Sequence, residues 1–475
     1  MKNLLLLILC IFTFYGNAQK LTFSDPSKIE LPFSHYAFQN NSIGYYTYEK
    51  NNKYHTGDLY IIAIPAGSQT VSNQFHYIKK EIENVSFIID KYSVTFIKNN
   101  KIYNFITPWI QQSNVRTLGI SIYDFNFKKI EEKKLFDDNN NGEIIIHKKS
   151  KKTEEDKKID CAINSDTSLF AMRYGKEIRV FETDNFKLVN TITLSSASEG
   201  EALVFTVQND LVLLSEKKCW FIKHNAKLVE EIQLDLPLGV YFGLKLVPSI
   251  NRNRVFVHVY HNDREKDPPS NSVKFIGMHD GFGHSVFGFT FGIIDIEKKT
   301  VTFTKNYFKE GALYEVEFLD ILERSEGKCV VVADQLNSSG GKETATVKYR
   351  RQRLLLLDME GSALKQQFTY EMHAGDIFTG DGNYDITALG SNLFFKMKDD
   401  NLVLLYNEYH DRVLHKVVFD FNSLTVKNEE TFNTFKDYHL IFDLSGGIIT
   451  GKNKYMFRGC NHKNNEMRMM TLELD

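Results

Sequence analysis

The sequence predicts an all-β protein that repeats one small antiparallel unit about eight times. Three observations carry this. Alternating, β-branched or aromatic runs of about five to nine residues recur between turns of Asn, Asp, Gly and Lys. No stretch keeps apolar residues at helical spacing over three turns. One phrase returns along the chain: an apolar strand, an acidic or Asn-bearing turn, then a new strand near a Lys.

The phrase opens loosely at Leu59–Ile64 (LYIIAI). It then appears at Ile122–Lys129 (IYDFNFKK), Val180–Lys187 (VFETDNFK), Phe221–Lys227 (FIKHNAK) and Ile293–Lys299 (IIDIEKK). Leu356–Gly361 (LLDMEG) and Val418–Ser423 (VFDFNS) follow, and a truncated copy closes the series at Met470–Leu474 (MTLEL). Steps between these anchors run from 41 to 72 residues, room for four short strands and their turns. A single core stops growing beyond about 250–300 residues, so a chain of 475 either splits or repeats a unit. Apolar residues make up 42% and aromatics 13%, which suits β-surfaces packed face to face.

Within Ile159–Leu194 four strands can be placed in order: Ile159–Ile163 as a, Leu169–Tyr174 as b, Ile178–Phe181 as c and Leu188–Leu194 as d. This pattern resembles the β-propeller superfamily, whose blades read a to d from the axis outward. The resemblance spans nearly the whole chain. No WD dipeptide, Kelch glycine pair or sialidase Asp-box is present to name a subfamily. It implies about eight four-stranded blades; seven blades plus an irregular segment, or two packed sandwiches, are the alternatives. The last unit ends at its third strand, Met467–Leu474. Leu21–Ser24 are expected to supply the missing outer strand and so close the domain, hiding both strand edges.

Residues 1–18 read as a secretory signal peptide. Lys2 is the positive start, Leu4–Phe14 a short apolar run, and Gly16-Asn17-Ala18 the small cleavage residues, so Gln19 begins the mature chain. The run falls short of the roughly 20 apolar residues of a membrane span, and no later stretch reaches that length. Leu9 before Cys10 argues against lipidation. The Ala-Gln junction in a Lys- and Asn-rich chain is similar to exported proteins of Gram-negative bacteroidetes. A net charge of −2 gives no global field for nucleic acid or anionic lipid. The four remaining cysteines, Cys161, Cys219, Cys329 and Cys460, lack framework spacing and read as small buried residues.

No complete catalytic or metal-binding motif is present. Gly446–Lys452 nearly spells a phosphate-binding loop, but Asn453 stands where Ser or Thr is needed and a strand follows, so a tight turn between strands is expected. Asp137–Ile144 matches half of a calcium loop, yet its twelfth position is Lys148. A calcium ion is therefore the one cofactor the sequence leaves open; none is required. His373 and the segment Asp376, Phe378, Asp381, Asn383 and Asp385 combine carboxylates with turn residues. His279, Asp280, Phe282 and His284 lie in a glycine-flanked stretch that fails both the dinucleotide and the esterase patterns.

Three connections are long, His261–Val286, Leu336–Lys348 and Met372–Asn383, and between them they contain Arg264, Phe275, His279, Phe282, His284 and Phe378. Strand order puts the first two between b and c and the third between d and the next a, all at one end of the sheets. Long connections in compact domains are commonly functional. The sequence thus reads as a non-enzymatic, exported binding module of the cell envelope with a protein partner. An accessory of an outer-membrane secretion or transport complex, similar to type IX systems, is one alternative; an exported hydrolase or lyase is another. The periplasm is the expected compartment, ahead of the outer surface.

Overall fold

The computed structural model describes residues 20–23, 27–28, 35–39, 43–49, 59–65, 76–80, 94–99, 101–105, 115–116, 118–124, 129–136, 144–145, 159–174, 176–194, 200–215, 218–225, 229–262, 273–275, 285–314, 316–325, 328–339, 348–372, 376–378, 393–408, 413–432, 441–451, 453–461 and 466–474. All regular structure among them is β. Among the described residues there are eight sheets of four or five strands; seven hold a sequential antiparallel a–b–c–d meander, and the last holds a–b–c in sequence. In chain order, strand a of these sheets is His35–Gln39, Val94–Lys98, Ile159–Ile163, Gly200–Phe205, Gly239–Pro248, Val316–Ser325, Leu393–Lys398 and Ile441–Gly451. Each sheet contains one copy of the recurring phrase, read from Leu59 to Met470.

The chain forms two compact units. One comprises Met1–Val85, Asp124–Lys128 and Tyr384–Asp475; the other comprises Ser86–Tyr123 and Lys129–Asn383. The first holds sheets one, seven and eight, the second sheets two to six. In the eighth sheet the outer strand is N-terminal: Lys20–Phe23 pairs antiparallel with Met470–Glu473. The expected pairing of chain start with chain end is therefore present.

The middle strands are apolar without alternation because both faces are covered. In Leu211–Ser215 of the fourth sheet, Leu211 and Leu213 pack with Leu169, Val180 and Trp220 toward the third sheet. Val212 and Leu214 pack with Val255, Val257 and Ile294 of the fifth. Outer strands meet water instead, as in Lys187–Thr193, where Ile192 is the one buried residue. Burying one such Leu or Val contributes about 1.5–3 kcal/mol.

The recurring phrase is the c–d turn. It ends in a left-handed residue at Phe186 (φ 52°), Lys299 (φ 54°), Gly361 (φ 60°) and Leu424 (φ 56°). A one-residue register shift precedes it in four sheets, at Ile122/Tyr123, Val180/Phe181, Asp358/Met359 and Val418/Phe419. Asn99, Thr167, Asn209, Asp399 and Asn453 take the same left-handed conformation in the a–b turns. That conformation costs a bulky residue about 1–2 kcal/mol. Burial offsets it at Leu424, and at Phe186, which lies 5.6 Å from Tyr103 and 6.2 Å from Phe170 between ring centroids.

These short turns latch adjacent sheets of the second unit. Lys98 donates to Thr183 (2.8 Å) and pairs with Asp184 (2.8 Å), joining sheets two and three. Asn164 donates to Asn209 (2.9 Å), joining three and four, and Asn253 to Asp210 (3.2 Å), joining four and five. Arg254 pairs with Glu323, which also accepts from Ser249 (2.7 Å), joining five and six.

Two sequence expectations need correction. Gly446–Gly451 is not a turn. It belongs to strand Ile441–Gly451, whose pairing jumps between Asp443 and Ile448, and Asn453 is in the turn that follows. Glycine lets the strand bulge there without breaking. The connection read as Leu336–Lys348 is also shorter, because its two strands run on to Ser339 and back from Lys348. Their polar side chains hid the strands from a pattern search keyed to apolar alternation.

Candidate binding face

Every accessory strand among the described residues lies in a b–c or a d–a connection. Val115–Arg116 (b–c) pairs with Ile144–Ile145 (d–a) beside the second sheet. Ser285–Val286 (b–c) pairs with Leu313–Tyr314 (d–a) beside the fifth. In the sixth, Lys348–Arg350 at the start of strand c pairs with Asp376–Phe378 from the following d–a connection. Twice, then, a b–c connection is hydrogen-bonded to the d–a connection leaving the same sheet, and in the sixth sheet the start of strand c takes the place of the b–c connection. Ser27–Lys28, also d–a, pairs with Glu466–Met467 in the first unit. In contrast, the b–c connections of sheets three and four turn between Tyr174 and Glu177 and between Ser215 and Lys218.

The fifth sheet has a further addition. Val273–Phe275, from its b–c connection, runs parallel to Gly239–Tyr241 and becomes a fifth strand beside strand a. The next described residues, Ser285–Val286, are tied to Leu313–Tyr314. The stretch with His279, Asp280, Phe282 and His284 lies between these two backbone anchors and outside the described residues, as do Arg264, His373, Asp381, Asn383 and Asp385. The half calcium loop at 137–143 is outside them too. Of the expected site positions, Phe275 stands opposite Tyr241, while Asp376 stands opposite Arg350 and Phe378 opposite Lys348. Phe275 thus belongs to the fifth sheet and the other two to the sixth.

Strand order alone did not show the hairpin Lys328–Ser339 with Lys348–Glu360, which rises beyond the end of its neighbour strand at Val316. The signal that could have found it is Lys348-Tyr349-Arg350-Arg351-Gln352-Arg353, a strand-like run directly before the buried Leu354–Leu357. Arg353 pairs with Glu371 across the sheet at 2.7 Å.

Below this end the core between sheets five and six contains His258, which is fully buried. Its ring stacks on Phe289 (centroids 5.3 Å apart) and lies against Phe318 (4.7 Å) and edge-on to Tyr260 (4.5 Å). Neither ring nitrogen has a hydrogen-bond partner among the described residues. Burial, with Lys245 and His261 adding repulsion, lowers its pKa to about 3. His261, at the end of strand b, instead bonds the Asn306 carbonyl through Nε2 (3.0 Å). Cys161, Cys219 and Cys329 are free thiols whose pKa values burial raises, to about 12 at Cys329. Such thiols are poor nucleophiles. Among the described residues no group of three or more His, Cys, Asp or Glu is placed to hold a metal, and no helix is long and apolar enough to cross a membrane.

No protein-family model matches the chain, and no curated protein matches it in sequence. Among solved structures, the WD40 domain of SCAP from fission yeast is similar at 7% identity, over 96% of this chain and 98% of that one, with a TM-score of 0.40. Hsv2p from Kluyveromyces lactis is similar at 10% identity, over 86% of this chain and 98% of that one, with a TM-score of 0.37. The β-propeller domain of Cps50 (Swd1) from Myceliophteria thermophila is similar at 8% identity, over 81% and 98%, with a TM-score of 0.33.

Proposed function

We propose that this chain is an exported, non-enzymatic binding module of the bacterial cell envelope. In this reading residues 19–475 form a β-propeller of eight four-stranded blades. The pairing of Lys20–Phe23 with the last strand closes it. A protein partner docks on the end that carries the b–c and d–a connections. One observation supports this above others: every accessory strand among the described residues is at these connections, whereas in sheets two to six the a–b and c–d turns are short and several of them supply sheet-to-sheet latches. Ordering extra chain costs about 1–2 kcal/mol per residue. Accessory strands kept at one end alone fit a surface maintained for recognition. Removal of residues 1–18 would deliver the module to the periplasm.

The test compares wild-type protein with three variants, purified from native envelope with whatever binds. In each variant one long connection is cut to a Gly-Asn turn: 262–287, 336–352 or 373–392. The reading expects at least one variant to melt like wild type and lose its partner. Retention of the same partner by all three would reject it.

A further inference from the structure

We infer that His258 is an acid-sensitive catch on the binding end of sheets five and six: a proton on its ring parts the strands that root the b–c and d–a connections there, and a seated partner is released. The release rests on the reading that this end binds the partner; the opening itself does not.

The ring sits where those roots meet. Strand b of the fifth sheet, Arg254–His261, ends three residues beyond His258. Tyr260, edge-on to the ring, is the last residue but one of that strand. Phe289, stacked on the ring, is second in strand c, Gly288–Asp295, just after the accessory strand Ser285–Val286. Phe318, tilted against the ring, is third in strand a of the sixth sheet, Val316–Ser325, and follows Leu313–Tyr314 of the d–a connection. Ser285–Val286 and Leu313–Tyr314 pair with each other. One ring thus contacts the strands at both ends of the b–c connection and the strand entered by the d–a connection bonded to it.

Every influence on the ring acts against a proton: burial first, then Lys245 and His261. Lys245 stands opposite His258 on strand a, and strand c faces it with Phe289 and Phe291. From the sixth sheet come the apolar Phe318, Ala333 and Leu355. Two positions beyond Leu355, Arg353 is paired with Glu371 (2.7 Å). A proton on His258 is therefore a buried charge that its surroundings oppose, and admitting water relieves it.

The two sheets are tied on either side of the ring. Arg254 and Ser249 bond Glu323 at the a–b end. Lys309 and Glu310 bond Gln367 beside the outer strands. Opening is thereby confined to the inner strands at the b–c end. A hydrated histidine titrates near 6.5 and the enclosed ring at about 3. Between these values the closed state holds fewer protons than the open one, so opening is favoured as pH falls, by about 70-fold from pH 7 to pH 4.5.

The test is hydrogen exchange of the intact protein, read by mass spectrometry at pH 7 and pH 4.5 and corrected for intrinsic amide rates. Protection of amides in 286–291 and 316–321 should fall about 70-fold in wild type and less than about threefold in His258→Phe. His258→Leu, smaller than the ring, is a second variant and should behave as His258→Phe does. Amides in 169–174 and 211–215 should hold their protection in all three proteins. Equal losses in wild type and variants, or a wild-type loss that spreads equally to 169–174, overturns the inference. The protein that co-purifies at pH 7 should leave wild type at pH 4.5 and stay on His258→Phe; loss from both overturns the release. If all connection-shortened variants keep that protein, the proposed function falls, and exchange still decides the opening.

Discussion

Acid should unfold this protein through His258. The residue is fully buried between sheets five and six, ringed by Tyr260, Phe289 and Phe318, with neither nitrogen partnered among the described residues. Its pKa falls from 6.5 to about 3, mainly because burial excludes the charged form. The folded state therefore holds fewer protons than the unfolded state between those values. Stability from this residue is fully present above pH 6.5 and is lost as pH falls toward 3. Each pH unit in that window removes about 1.4 kcal/mol. Between pH 7 and pH 4.5 the loss is about 2.5 kcal/mol, large against a typical total of about 5–15 kcal/mol. His258→Phe keeps an aromatic ring in the cage and cannot be protonated; its slight excess volume should cost about 1–2 kcal/mol at any pH. Urea unfolding of both proteins at pH 7 and pH 4.5 isolates the residue. Wild type should lose about 2.5 kcal/mol more than His258→Phe over that interval. Parallel losses in the two proteins would show that His258 is hydrated or hydrogen-bonded in solution, and would refute the reasoning.

Glu323→Gln should destabilise by about 3–5 kcal/mol by stranding Arg254, since the pair is 7% and 4% exposed; Arg254→Met with Glu323→Leu should recover most of that in urea titrations. Gly288→Ala places a Cβ 1.9 Å from the Asn306 carbonyl oxygen and 2.8 Å from His261 Nε2. A loss of about 1–3 kcal/mol is expected, and melting as wild type would show that the strands have room to part. Deleting residues 19–25 removes the outer strand from Met470–Glu473; a clearly lower melting temperature or aggregation is expected, and an unchanged melting curve would contradict closure by that strand. Intact-mass measurement of native protein should give Gln19 as the first residue with no lipid attached; a diacylglycerol mass on Cys10 would contradict it.

How far the fold was legible depended on distance along the chain. Strands a to d of the third sheet, placed from residues 159–194, match the observed strands to within a residue or two, because period-two alternation and turn residues are local. The c–d phrase was visible for the same reason, although its left-handed residue is Phe186 in one sheet and Gly361 in another. Burial, not residue type, makes that conformation tolerable at Phe186 and Leu424, so the repeat stays dim in letters and clear in dihedral angles. The strand at Lys20–Phe23 was legible despite its distance from Met470–Glu473 because the last unit lacked one strand.

The candidate site was legible only as long connections. That Val273–Phe275 returns to lie beside Gly239–Tyr241, or that Asp376–Phe378 pairs with Lys348–Arg350, follows from backbone groups finding partners across space. No local pattern encodes that choice. The neutrality of His258 likewise hangs on a cage drawn from two sheets. The sequence alone determined strand type, the repeating unit and the end where extra chain collects, since these rest on short-range periodicity and connection length. Tertiary structure alone decided register, latches and the environment of each buried polar group, because those depend on contacts between residues tens of positions apart.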